Sequence, residues 1–62
     1  MQNPEALKLP DQLLVRYFRD GDIGLITNVE TDGNKLTVRV GKRTDRWQDL
    51  GGGLGYVPDM GD

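Results

Sequence analysis

Lys35-Leu36-Thr37-Val38-Arg39-Val40 (KLTVRV) is the stretch on which the fold turns. Leu36, Val38 and Val40 alternate with Lys35, Thr37 and Arg39, the pattern of a half-buried strand with one wet face. Gly41 ends it. Just upstream, Thr31-Asp32-Gly33-Asn34 reads as a hairpin turn, because Asp-Gly accepts the positive φ angles that tight hairpins require. Residues 23–29 (IGLITNV), rich in β-branched side chains, form the expected strand before that turn. Residues 13–18 (LLVRYF) read as a further strand, with Leu13, Val15 and Tyr17 on one side and Leu14, Arg16 and Phe18 on the other. Asp20-Gly21-Asp22 is the turn between these two strands.

Downstream the pattern is weaker. Residues 42–46 (KRTDR) read as a charged loop or strand margin, and residues 47–50 (WQDL) as a short fourth strand. Gly51-Gly52-Gly53 is a flexible turn, and Tyr56-Val57 a closing strand stopped by Pro58. At the start, Asn3-Pro4-Glu5 has a capping residue, a proline at the first helical position and an early acid, which predicts a helical turn ended by Pro10. Short, glycine-punctuated strands favour a small barrel, which removes exposed sheet edges. The expectation is a single mostly β domain over residues 1–62. In it, 1–12 form an N-terminal extension, 13–58 a barrel of about five strands and 59–62 a frayed tail.

With 62 residues, folding buries only roughly 60% of the surface of the unfolded chain. The chain has no cysteine, histidine or serine. Disulfides, thiolate metal sites, the commonest general base and serine or cysteine triads are thereby excluded. Eight basic and ten acidic residues give a formal charge of −2, whereas free nucleic-acid binders usually carry a basic excess. No apolar run approaches the roughly 20 residues of a membrane span, and residues 1–10 lack the pattern of a signal peptide. The expected setting is the cytoplasm, or the interior of a larger assembly such as a virion.

Two resemblances cover parts of the chain. Gly21 and Gly24 precede Ile26 and Val29, and Leu36, Val38, Val40 and Gly41 follow. Residues 21–41 in this way resemble a KOW motif, the β-hairpin element of ribosomal proteins and transcription elongation factors. That resemblance implies a small barrel and RNA binding. The chain departs from it in carrying Asp20, Asp22, Glu30 and Asp32 where RNA-holding motifs carry lysine and arginine, and acids there repel phosphate. Residues 47–58, from Trp47 to Gly55-Tyr56-Val57-Pro58, resemble the end of an SH3 domain. There a tryptophan and a proline help line a groove for polyproline II peptides. The resemblance implies a protein-binding rim.

Trp47, Tyr17, Phe18 and Tyr56 are the whole aromatic inventory. Trp47, Tyr56, Pro58 and Tyr17 are the candidate partner-binding residues, since rim aromatics dominate interface energetics. The opposing reading is that so small a chain needs its aromatics for its core. Arg39, Lys42, Arg43 and Arg46 are the basic concentration, read either as a contact for phosphate or an acidic partner or as a solvated stretch neutralised by Asp45 and Asp49. The glycine triplet lacks the Lys and Ser/Thr of a phosphate-binding loop. Asp20 and Asp22 lack both the further ligands of a calcium loop and a cleft for paired-carboxylate chemistry.

The reading is a non-catalytic protein-interaction module or accessory subunit, with no cofactor, no metal and no membrane association. A KOW-like nucleic-acid binder using residues 39–46 is the alternative. A structural component acting through self-association, as a homo-oligomer, is the third.

Overall fold

The computed structural model describes residues 4–59. A short 3-10 turn (Pro4–Lys8) is followed by one helix, α1 (Asp11–Asp20), and a second 3-10 turn (Ile23–Leu25). Four strands complete the chain: β1 (Ile26–Asp32), β2 (Lys35–Val40), β3 (Arg43–Asp49) and β4 (Tyr56–Pro58). The strands form one antiparallel sheet in the order β1-β2-β3-β4. The fold is mostly β, with the expected N-terminal helical turn. Among the described residues there are four strands rather than five, and the sheet is open rather than closed into a barrel. The expected capping role of Asn3 and the tail at residues 60–62 lie outside the described residues.

The missing strand is residues 13–18, which lie within α1. Pro10 at the N-cap has extended backbone (φ −64°, ψ 155°), and proline is well tolerated where no donor is needed. Asp11 opens the first turn, where a negative charge meets the positive end of the helix dipole. Gly21 closes the helix at φ 82°, donating its N–H to Phe18 O while the Asp22 N–H reaches Tyr17 O. That pair of bonds is a Schellman cap, and it requires the left-handed conformation glycine adopts without a Cβ penalty. With the helix entered at Pro10 and capped at Gly21, Leu13 and Tyr17 stack four residues apart on the buried face. A strand reading of the same residues leaves apolar groups on both sides. The helix resolves this by burying Leu13 and Tyr17 while exposing Val15 and Phe18.

β2 spans Lys35–Val40 as the alternation predicts, burying Leu36, Val38 and Val40. The β1–β2 connection is the two residues Gly33-Asn34, one position later than the expected Asp-Gly centre, with Gly33 at φ 63°. β1 begins at Ile26 rather than residue 23, because residues 23–25 form the 3-10 turn, and a bulge separates Ile26 from Asn28. β3 begins at Arg43. Residues 43–46 are therefore strand rather than loop, joined to β2 by a second two-residue turn, Gly41-Lys42.

The register puts Ile26, Val29, Leu36, Val38, Val40 and Trp47 on one face. These residues form a single core with Ala6, Leu9, Leu13 and Tyr17 from the N-terminal segments. Fully burying a leucine side chain stabilises by roughly 1.5–3 kcal/mol, so Leu9, with the smaller Ala6, ties residues before α1 into the core. The opposite face, with Asn28, Glu30, Thr37, Arg39, Thr44, Arg46 and Gln48, carries no buried residue.

Candidate functional site

β3 brings Arg43, Asp45 and Trp47 to the core side in alternation, opposite Val40, Val38 and Leu36. An aspartate opposite fully buried Val38 needs partners, because an unpaired charge there is strongly penalised. α1 supplies one of them. The Tyr17 hydroxyl donates to Asp45 Oδ2 at 2.6 Å and accepts from the Trp47 indole N–H at 2.9 Å. Arg43 supplies the other, its Nε and Nη2 donating to the two Asp45 oxygens at 2.9 and 3.1 Å. Nη2 also reaches Asp22 Oδ2, beyond the helix cap, at 3.0 Å. The chain Trp47–Tyr17–Asp45–Arg43–Asp22 therefore bolts the end of α1 to β3. Burial and then the hydrogen bond to Asp45 raise the Tyr17 phenol pKa above its ordinary value. Hydrogen bonds to Asp45 and Asp22 raise that of the Arg43 guanidinium further.

An open groove of about 580 Å³ lies over this network, between α1 and β3–β4. Tyr17, Trp47 and Pro58 line it together with Asp20, Asp22, Asp45 and Asp59 and with Arg16, Arg43 and Arg46, and Asp59 pairs with Lys35 at 2.8 Å. The rings of Tyr17 and Trp47 meet edge to face at 6.3 Å, and the Arg16 guanidinium lies over Trp47 at 5.2 Å from the ring centroid. A second groove of about 390 Å³ begins on the other side of Arg16, lined by Val15, Arg19, Leu54 and Tyr56. Arg16 borders both.

The four candidate rim residues thus lie along one side of the molecule, in unequal roles. Tyr17 and Trp47 are buried, Tyr56 is half-buried and Pro58 is exposed. The basic stretch is divided. Arg43 turns inward to Asp45 and Asp22, whereas Arg39 and Arg46 share the open sheet face and Lys42 occupies the hairpin turn. Among the described residues, no carboxylate pairs with Arg39, Lys42 or Arg46. Sequence reasoning gave Asp45 only as a neutraliser of the basic stretch and Asp22 only as a turn residue, and it missed Arg16. The Arg43-Asp45-Trp47 alternation was the available signal for Asp45, and reading α1 as a strand hid Arg16.

Among the described residues there is no grouping of His, Cys, Asp and Glu that could hold a metal ion, and no helix is long and apolar enough to cross a membrane. No family model matches the chain, no curated protein is significantly similar to it, and no solved structure matches it significantly.

Proposed function

We propose that the chain is a non-catalytic protein-interaction module whose partner docks along the side formed by α1, β3 and β4. The observation that carries this reading is the convergence of Tyr17, Trp47, Tyr56 and Pro58 on two grooves that meet at Arg16. Tyr17 and Trp47 stiffen the floor. The contact itself falls to Arg16, Arg46, Tyr56, Pro58 and the flanking aspartates. Preorganised surfaces of this kind bind with less loss of side-chain freedom. Four aspartates interleaved with three arginines suit a protein surface of mixed charge better than the uniform negative charge of a nucleic acid. The SH3-like ending at residues 47–58 is a resemblance that agrees with this choice.

The test is affinity capture from the native source with the wild-type chain and the surface variants Arg46→Glu and Pro58→Ala. Thermal melts show whether each variant is folded. The expected result is a protein partner retained by the wild type and lost by folded variants. Undiminished capture by both variants would remove the groove from consideration.

The nucleic-acid reading has one observation in its favour. Arg39 and Arg46 are diagonal neighbours on the uncovered sheet face, opposite Thr44 and Thr37, and have no carboxylate partner there. Glu30 and Asp32 on adjacent β1 weigh against it. Phosphate-driven binding would appear in the same capture as nucleic acid released by raised salt.

A further inference from the structure

The groove on the Val15 side of Arg16 differs in character from its neighbour. Val15 is 55% exposed and Leu54 77% exposed, and the two apolar side chains line it together with Arg16 and Arg19. Among the described residues no aspartate or glutamate lines it, in a chain whose formal charge is −2. Arg19 has no carboxylate within salt-bridge distance among the described residues. Two exposed apolar side chains beside two cations are complementary to an amphipathic ligand bearing carboxylates.

The loop that presents Leu54 is braced. Its ends are joined by the Leu50 N–H to Gly55 O and the Leu54 N–H to Gly51 O, both at 3.0 Å. The Gly51 N–H is held by Asp49 Oδ1 at 2.8 Å. Gly51, Gly52, Gly53 and Gly55 all have positive φ, which this tight path requires. At Gly55 a Cβ would also come within 3.3 Å of Gln12 Oε1, on the helix wall of the groove. These bonds brace the loop that carries the exposed Leu54 beside α1.

We propose that this groove takes an acidic amphipathic segment of the partner protein, its apolar side chains on Val15 and Leu54 and its carboxylates on Arg16 and Arg19. The inference rests on the binding-module reading and assigns the partner's chemistry at one end of the docking side. A peptide segment is favoured over an anionic membrane. Asp11 and Asp20, at the two ends of α1, would oppose a continuous sheet of negative charge, whereas a segment confined to the groove avoids them.

The test titrates the full chain with a short synthetic peptide of leucine, aspartate and glutamate, followed through the emission of Trp47, the sole tryptophan, against which Arg16 stacks. A counterpart with lysine for each acid and phosphatidylserine vesicles serve as comparisons. The acidic peptide is expected to shift the Trp47 emission saturably, the lysine counterpart not to, and Arg19→Glu to weaken binding roughly tenfold. Equal binding of both peptides, no binding of the acidic one, preference for the vesicles, or a groove occupied by a second copy in sedimentation would each overturn the proposal. Partner capture separates the two levels. If Arg19→Glu and Leu54→Asp still capture the protein partner that Arg46→Glu and Pro58→Ala lose, the module reading stands and the acidic segment falls. If no variant affects capture, the docking side itself is wrong.

Discussion

The Tyr17 hydroxyl ties α1 to β3 beneath the proposed docking groove. It accepts from Trp47 and donates to Asp45, so Tyr17→Phe removes the partner of an indole N–H and one partner of a core-facing carboxylate. Leaving buried polar groups unsatisfied costs about 1–3 kcal/mol each. The variant is therefore expected to melt earlier in urea or heat while keeping its sheet signal in circular dichroism. The pH dependence follows with its sign. The Tyr17 pKa is raised in the folded state, so its contribution is fully present below the ordinary tyrosine value of about 10 and is lost as pH rises above it. Melting temperatures measured toward alkaline pH should fall for the wild type and fall less for Tyr17→Phe. Equal slopes would remove Tyr17 from the linkage.

At the scale of the element, α1 and β2 mark the two extremes of what could be read from the residues. β2 was legible because Leu36, Val38 and Val40 alternate without interruption and one side of the strand is wet. α1 was not. Residues 13–18 satisfy a strand pattern about as well as a helical one, and the deciding information lies outside them, in Pro10, Asp11 and Gly21. β3 was obscured because Arg43 and Asp45 occupy its core side as a charged pair completed by Tyr17. A partner from another element is not visible along the chain. Two variants test the helix. Gly21→Ala places a Cβ at φ 82° and is expected to destabilise by about 1 kcal/mol. Phe18→Gln alters a side chain that is 74% exposed and is expected to change stability by no more than about 0.5 kcal/mol in chemical denaturation. A large loss at Phe18 would place it in the core and contradict the helical face assigned here.

For the whole molecule, the open sheet and the single core put both grooves on the side where α1 packs. The N-terminal turn and α1 supply Ala6, Leu9, Leu13 and Tyr17 to the core, and the grooves lie where α1 meets β3, β4 and the glycine loop. The candidate site was legible in its residue types, since Trp47, Tyr56, Pro58 and Tyr17 do converge there. Their division into floor and rim was not, because burial depends on the helix crossing over Trp47. Arg16, one helical turn before Asp20, completes that cover. The measurement that bears most directly on this account is the amide and indole spectrum of the isotopically labelled chain as the captured partner is added. The perturbed signals are expected to include Val15, Arg16, Arg19, Leu54, Tyr56 and the Trp47 indole N–H. Signals from Asn28, Glu30, Thr37 and Arg39 on the open sheet face should stay in place. Perturbation confined to that open face and to Lys42 would contradict it.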